Sequence, residues 1–359
     1  MRVLIAAGGT GGHIYPGIAV AKEIMRRDRS STVRFVGTAR GLETRLVPNA
    51  GFELSLIESA GLVNMGLRQR LRGLLLLPKS FLAARRLIKS FQPDVVVGAG
   101  GYVSGPVLMT AAFMRVPTLV MESNAVPGFT NRRLARFVDA AAVSFAAALP
   151  HFRGKGVLTG NPVRSEFFDI PARARDPQRF RLLLFGGSQG AHAINEAMLQ
   201  ALPHLESYRE RLQVTHQTGT MDFANVVAGY EAAGWKNVDV RQYIDDMVAA
   251  FAENDLIVSR AGATTSFELM AAGKPALMVP LPGQMEQQRN AEVMRDAGAG
   301  RMIMQQELTG ESLAREIGAL IDKPEEITRM EVASRKLARR DAAAAAVELM
   351  EKLVAGRSR

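Results

Sequence analysis

Short apolar runs alternate along the chain with longer stretches of helical periodicity. In the first half the runs are Val3–Ala7, Val33–Val36, Glu53–Ile57, Asp94–Val97, Thr118–Met121 and Ala140–Val143. Most are continuous instead of alternating with polar residues, the pattern of strands buried on both faces of a parallel sheet. The second half repeats the plan with Arg181–Phe185, Leu212–His216, Val238–Arg241, Leu256–Val258 and Ala276–Val279. Strands separated by helical patterns predict an α/β fold of two Rossmann-like, doubly wound parallel-sheet domains. Breakers crowd from Gly154-Lys155-Gly156 to Gly160-Asn161-Pro162, so the expected domains are residues 1–161 and 162–359. Ligands in open α/β sheets bind beyond the carboxyl ends of the strands. A cleft between the two domains is therefore the expected place for chemistry.

Composition narrows the chemistry. The 359 residues contain no cysteine, which excludes disulfides, thiolate metal sites and cysteine nucleophiles. The amino terminus leads straight from a strand pattern into glycines, unlike a secretory signal. No stretch offers the roughly 18 uninterrupted apolar residues of a spanning helix, so the expected protein is not integral to a membrane. Charge is uneven: residues 1–161 hold 21 basic and 8 acidic side chains, and residues 162–359 hold 24 and 27. Between Glu58 and Asp94 there is no acid, yet Arg68, Arg70, Arg72, Lys79, Arg85, Arg86 and Lys89 stand among Leu67, Leu71, Leu74, Leu75, Leu76, Leu77, Phe81 and Leu82. Such a segment suits the surface of an anionic bilayer; a buried helix with a basic solvent face is the alternative. With Phe81 as its single aromatic residue, the segment lacks a stacking platform for nucleic acid.

Three glycine-rich loops follow predicted strands: Gly8-Gly9-Thr10-Gly11-Gly12, Gly98-Ala99-Gly100-Gly101 and Gly186-Gly187-Ser188-Gln189-Gly190. Glycine turns that open helices bring backbone N–H groups close to phosphate or sugar oxygens. The dinucleotide fingerprint fails, because Ile14 and Val103 occupy its last glycine position, and no phosphate-binding P-loop occurs. Nor is there an Asp-x-Asp pair. Phosphate charge would then fall to amides, helix starts and arginine.

The segment Gly8–Gly17 resembles the first loop of the MurG family of N-acetylglucosaminyltransferases. Further matches follow in that family's order: Gly100–Pro106, Glu122-Ser123-Asn124, Gly160–Arg164, Gly186–Ala191 and Ser259–Ala263. The resemblance implies a GT-B fold and inverting, metal-independent transfer without a cofactor. UDP-N-acetylglucosamine would be the donor, and lipid I, an undecaprenyl-diphosphate-linked muramyl pentapeptide, the acceptor. It further implies an acceptor-binding N-terminal domain, a donor-binding C-terminal domain and peripheral attachment to the cytoplasmic face of the cell membrane. That assignment agrees with the basic first half.

Carried over by resemblance, the donor contacts are Thr10, Gly11, Gly12, Asn124, Arg164, Ser188, Ile244, the run Ala263, Thr264, Thr265, Ser266, Phe267 and Glu268, and Gln287, with Gln288 as its neighbouring alternative. Here Glu286-Gln287-Gln288 replaces the family's commoner Asp-His-Gln. Glu268 would accept hydrogen bonds from the ribose diol. The base that deprotonates the acceptor's C4 hydroxyl is His13 or, alternatively, Glu122. Arg260 would add charge near the diphosphate, whereas His192, His204 and His216 receive no role. Rival readings are another GT-B lipid glycosyltransferase, a UDP-sugar epimerase, or a non-catalytic UDP-sugar and membrane sensor.

Overall fold

Strand β1 (Arg2–Ala7) is buried from Val3 to Ala7. Its side chains alternate between two cores, as strand geometry requires. Val3 and Ile5 join Val95, Val97, Ile14 and Ile24 on one face, while Leu4 and Ala6 join Val96, Val107 and Ile88 on the other. This two-sided burial explains why the run reads as continuously apolar. The computed structural model describes residues 1–59, 67–172, 175–176 and 178–357, with side chains from Leu76 onward in the helix Leu67–Phe91.

The first sheet continues with β2 (Thr32–Gly37), β3 (Glu53–Leu56), β4 (Val95–Gly100), β5 (Thr118–Glu122), β6 (Ala140–Val143) and β7 (Gly156–Leu158). Their order is β3-β2-β1-β4-β5-β6-β7, with every pair parallel. The second sheet comprises β8 (Phe180–Phe185), β9 (Leu212–Gln217), β10 (Val238–Arg241), β11 (Leu256–Ser259), β12 (Ala276–Met278) and β13 (Gly300–Met302). Its parallel order is β10-β9-β8-β11-β12-β13. Both are doubly wound, and each reverses direction beside its first strand, at β1/β4 and β8/β11. Eleven strands coincide with the predicted runs, ten to within one residue at either end and β4 running three residues beyond its predicted end at Val97. The other two, β7 and β13, are three-residue edge strands: Gly-Val-Leu inside the breaker-rich segment and Gly-Arg-Met after a turn. Neither carries an apolar run long enough to register.

The chain divides into a unit of Met1–Val163 with Arg339–Arg359 and a unit of Arg164–Ala338. The expected span of 162–359 for the second domain is thus corrected at its carboxyl end. Helix Ala342–Ala355 places Ala346, Val347 and Met350 in the core that covers β1 and β4. Arg27 reaches the Ala344 carbonyl and the carboxylates of Glu348 and Glu351, each at 3.2 Å. These partly exposed ion pairs contribute little by themselves; apolar burial binds the helix to the first unit.

Unit 2 holds a buried polar chain inside its core. His216 is fully buried, with Nδ1 at 3.0 Å from the Tyr230 hydroxyl and Nε2 at 3.0 Å from Asn195 Oδ1. Desolvation lowers its pKa to about 4, so the ring stays neutral. Asn195 in turn donates to the Thr218 carbonyl at 2.9 Å and to Asp222 at 2.8 Å. His216 is a satisfied core histidine.

The docking of the last helix gives a measurable expectation. Met350→Ala should destabilise the first unit by about 2–4 kcal/mol, with faster amide exchange in β1 and β4 and unchanged exchange in β8 and β11. Faster exchange in the second sheet instead would contradict this assignment.

Candidate active site

The first loop gets its shape from what surrounds it. Gly9 has a left-handed φ of 88°, and the loop runs into helix Gly11–Arg27 with Thr10 as N-cap. Thr10 makes no side-chain cap bond and is exposed. Where β1 leaves its pairing with β4, the register slips from Ala6↔Gly98 to Ala7↔Gly100. Buried Ser104 spans that irregularity: its Oγ lies 2.9 Å from the Ala6 carbonyl and 2.7 Å from the Gly100 carbonyl, and accepts from Gly100 N–H at 3.0 Å. Gly101 approaches so closely that a Cβ would stand 2.3 Å from the Gly8 carbonyl oxygen.

His13 packs against this junction, and a Cβ on Gly100 would meet its Nδ1 at 2.2 Å. Desolvation pulls the imidazole pKa below its usual value, while a hydrogen bond with the Ala99 backbone acts in the opposite direction. The ring is therefore biased toward the neutral form a base requires. Glu122 ends β5 and is buried. It accepts from Asn124 N–H at 2.9 Å, Asn124 Nδ2 at 3.1 Å, Gly128 N–H at 3.3 Å and Asn131 Nδ2 at 2.8 Å. Burial raises its pKa against those four donors. Both carboxylate oxygens are engaged in shaping the 124–131 turn. Asn131 escaped sequence reasoning because no motif marks it.

In the second unit, a cavity of about 560 Å³ opens at the ends of β8, β11 and β12. Gly186, Gly187, Gly190, Ala191 and His192 line it from the loop after β8, and Arg260, Gly262 and Thr265 from the segment after β11. Leu281, Gln287 and Gln305 complete the wall. This volume suits a small-molecule ligand. Ser188 is at the exposed tip of its loop, and Ile244 is buried in the turn after β10. Helix Ala263–Ala272 starts after Gly262 without a side-chain cap, so its positive end is turned to the cavity rim formed by Gly262 and Thr265. Within that helix Ser266, Phe267 and Glu268 are buried.

Arg164 and Glu268 approach within 3.4 Å, and the Arg164 guanidinium also lies over the Phe167 ring at 4.8 Å. Desolvation raises the Glu268 pKa to about 7 despite the nearby cation. Arg260 donates to the carbonyls of Val279 and Pro280 at 3.2 and 3.4 Å, and burial lowers its pKa. Gln287 lines the cavity, held by bonds with Leu281 N–H and Gln284 at 3.1 and 3.0 Å. Gln288 instead bonds Glu292 along its helix at 2.9 Å. His192 lies between Asp222 at 3.0 Å and Glu196 at 3.4 Å. The sequence reading gave His192 no role although it directly follows the Gly186–Ala191 loop, and it did not single out Gln305, which reaches the cavity through tertiary packing. Among the described residues, no three His, Asp or Glu side chains cluster as metal ligands.

Thr10–His13, Glu122 and Asn124 thus belong to unit 1, at the carboxyl ends of its strands. Arg164, Ser188, Ile244, Ala263–Glu268 and Gln287 belong to unit 2.

Comparison with known proteins gives a consistent result over both units. Residues 3–143 match the glycosyltransferase family 28 N-terminal domain, and residues 181–346 match the family 28 C-terminal domain. A relative from Anaeromyxobacter sp. (strain K) is named a UDP-N-acetylglucosamine–N-acetylmuramyl-(pentapeptide) pyrophosphoryl-undecaprenol N-acetylglucosamine transferase. It is 49% identical over 99% of this chain and 93% of its own length. The crystal structure of Acinetobacter baumannii MurG superposes with a TM-score of 0.80 at 32% identity, covering 98% of this chain and 99% of that one. UDP-GlcNAc 2-epimerase from Neisseria meningitidis, solved with UDP-GlcNAc, covers 98% of this chain and 100% of its own, with a TM-score of 0.72 at 16% identity; it shares the fold alone. The chain belongs to the MurG family of glycosyltransferases, within glycosyltransferase family 28.

Proposed function

We propose that this chain transfers N-acetylglucosamine from UDP-N-acetylglucosamine to lipid I, yielding lipid II and UDP for peptidoglycan synthesis. The observation that carries the reading is the nearly full-length similarity, at 49% identity, to a relative named for that transfer. The epimerase alternative has only a shared fold in its favour.

In this reading unit 2 holds the donor. Glu268 accepts the ribose hydroxyls, the Ile244 backbone meets uracil, and Arg164 with the amides of the Ser188 loop and the Ala263–Thr265 helix start meets the diphosphate. Gln287 contacts the sugar, as do Thr10, Gly11, Gly12 and Asn124 from unit 1. The acceptor's C4 hydroxyl attacks the anomeric carbon while neutral His13 takes its proton. The bond between that carbon and the diphosphate oxygen breaks, its electron pair leaves with UDP, and the configuration inverts. Preorganised amides and Arg260 stabilise the charge gathering on UDP.

For membrane attachment, no helix among the described residues is long and apolar enough to cross a bilayer. Helix Leu67–Phe91 buries Ser80, Ala84, Ile88 and Phe91 and exposes Lys79, Leu82, Arg85, Arg86 and Lys89. The side chains of Leu67, Arg68, Arg70, Leu71, Arg72, Leu74 and Leu75 lie outside the described residues. Phe113 is 68% exposed, and with Phe81, Leu82 and Arg85 it borders an open groove. We infer that this apolar and basic surface rests on anionic lipid at the cytoplasmic face.

Labelled UDP-N-acetylglucosamine supplied with a short-chain lipid I analogue should yield labelled lipid II and UDP only when the acceptor is present. UDP release or sugar epimerisation without acceptor would contradict transfer. His13→Ala should lower kcat about 10²–10⁴-fold with little change in KM, and wild-type kcat at saturating donor should fall only below about pH 6.5, the usual histidine value; an unchanged kcat removes His13 as the base.

Ribose hydroxyls favour ionised Glu268. Protonation, significant near pH 7 in the free protein, should therefore oppose binding. The UDP Kd is expected to rise as pH falls from 8 to 6, approaching about tenfold per pH unit below 7. Glu268→Gln should bind weakly with a flatter profile, and a pH-independent wild-type Kd would contradict the ribose role. Phe113→Ser should weaken binding to phosphatidylglycerol vesicles about tenfold or more, and equal binding would remove that surface from the membrane contact.

A further inference from the structure

Glu43 is a fully buried carboxylate that the transfer scheme leaves without a task. It begins the helix Glu43–Asn49, after the loop that follows β2. Its Oε2 accepts from Gly9 N–H at 2.9 Å, and its Oε1 accepts from Thr38 N–H at 2.8 Å and Thr38 Oγ1 at 2.9 Å. Gly9 is tied on its other side too, since its carbonyl accepts from Leu42 N–H at 3.2 Å. Both backbone groups of one left-handed residue are therefore held by consecutive residues of another loop.

Space has been cleared for this carboxylate. A Cβ on Gly41 would lie 1.9 Å from Glu43 Oε2, one on Gly37 2.5 Å from Glu43 Cγ, and one on Gly8 2.8 Å from Glu43 Oε1. Any side chain at these positions would displace the acceptor. The clamped residue stands one position before Thr10 and four before His13. The same loop also meets Gly101, so its position decides where the Gly11 and Gly12 amides and the imidazole stand.

We propose that Glu43 is a positioning residue for the transfer reaction, fixing the Gly8–His13 loop through Gly9 without touching substrate. The proposal rests on the transfer reading above. It requires a carboxylate in particular. A glutamine of equal size would turn an NH2 group toward either Gly9 N–H or Thr38 N–H, setting donor against donor.

The test compares wild type with Glu43→Gln and Gly41→Ala in the lipid I transfer assay, alongside calorimetric titration with UDP. Gly41 has no left-handed φ, so alanine is allowed by the backbone and acts by pushing the Glu43 carboxylate aside. Both variants should lose kcat by more than threefold, on the order of tenfold, with UDP Kd within twofold of wild type and a binding stoichiometry near one. UDP lacks the sugar that the first loop is proposed to meet, so its binding reports on unit 2 and on folding. A kcat within threefold of wild type in either variant overturns the proposal, as does a kcat loss matched by an equal loss of UDP-binding stoichiometry. A wild type that makes no product would instead defeat the transfer reading itself.

Discussion

Parallel strands carry all their carboxyl ends to one edge of a sheet, where the helices that follow begin with main-chain N–H groups lacking intrahelical acceptors. The proposed contacts with the diphosphate draw on that constraint. The loop after β8 and the start of helix Ala263–Ala272 border one cavity, and the loop after β1 leads into a helix in the other unit whose N-cap, Thr10, makes no side-chain cap bond. A diphosphate suits such an edge, because amides and helix dipoles favour negative charge without having to reorient as it grows.

Glycine loops are useful only if they are held still, and the two units achieve this differently. In the first, buried polar side chains act as pins: Ser104 across the β1/β4 irregularity, Glu43 on Gly9, and Glu122 through the 124–131 turn. In the second, backbone contact dominates. A Cβ on Gly190 would stand 1.9 Å from the Thr218 carbonyl oxygen, and Asn195 bonds that same carbonyl. The His216 and Tyr230 pair behind Asn195 extends the support into the core. Each pin is a buried group whose loss would strand a partner, so the shape of each loop is coupled to the stability of its unit.

Much of this arrangement was legible in the sequence because it is local. Continuous apolar runs such as Val3–Ala7 become two-sided buried strands, and glycines directly after them become turns. What escaped depends on distant partners. Helix Ala342–Ala355 looks like any amphipathic helix, and nothing in its periodicity says that it returns to cover β1. Glu43 belongs to no motif, and the room made for it by Gly37 and Gly41 is visible only in three dimensions; two glycines shortly before a lone acid were the available signal. Glu122 was read as a possible base from its neighbours in a motif, whereas its four donors are visible only in three dimensions. In the case of Gln287 and Gln288, spacing could not separate adjacent residues, and helix orientation does: the first lines the cavity and the second bonds Glu292.

The claim on which the site depends is that main-chain amides at the carboxyl edge of the second sheet receive the nucleotide. Amide chemical shifts of isotopically labelled protein, followed as UDP is titrated in, examine it most directly. The largest changes are expected at Gly186–Gly190 and Ala263–Thr265. Saturable binding that leaves those amides unmoved while shifting residues at the opposite edge of the sheet, such as Asn237 or Asn254, would contradict it.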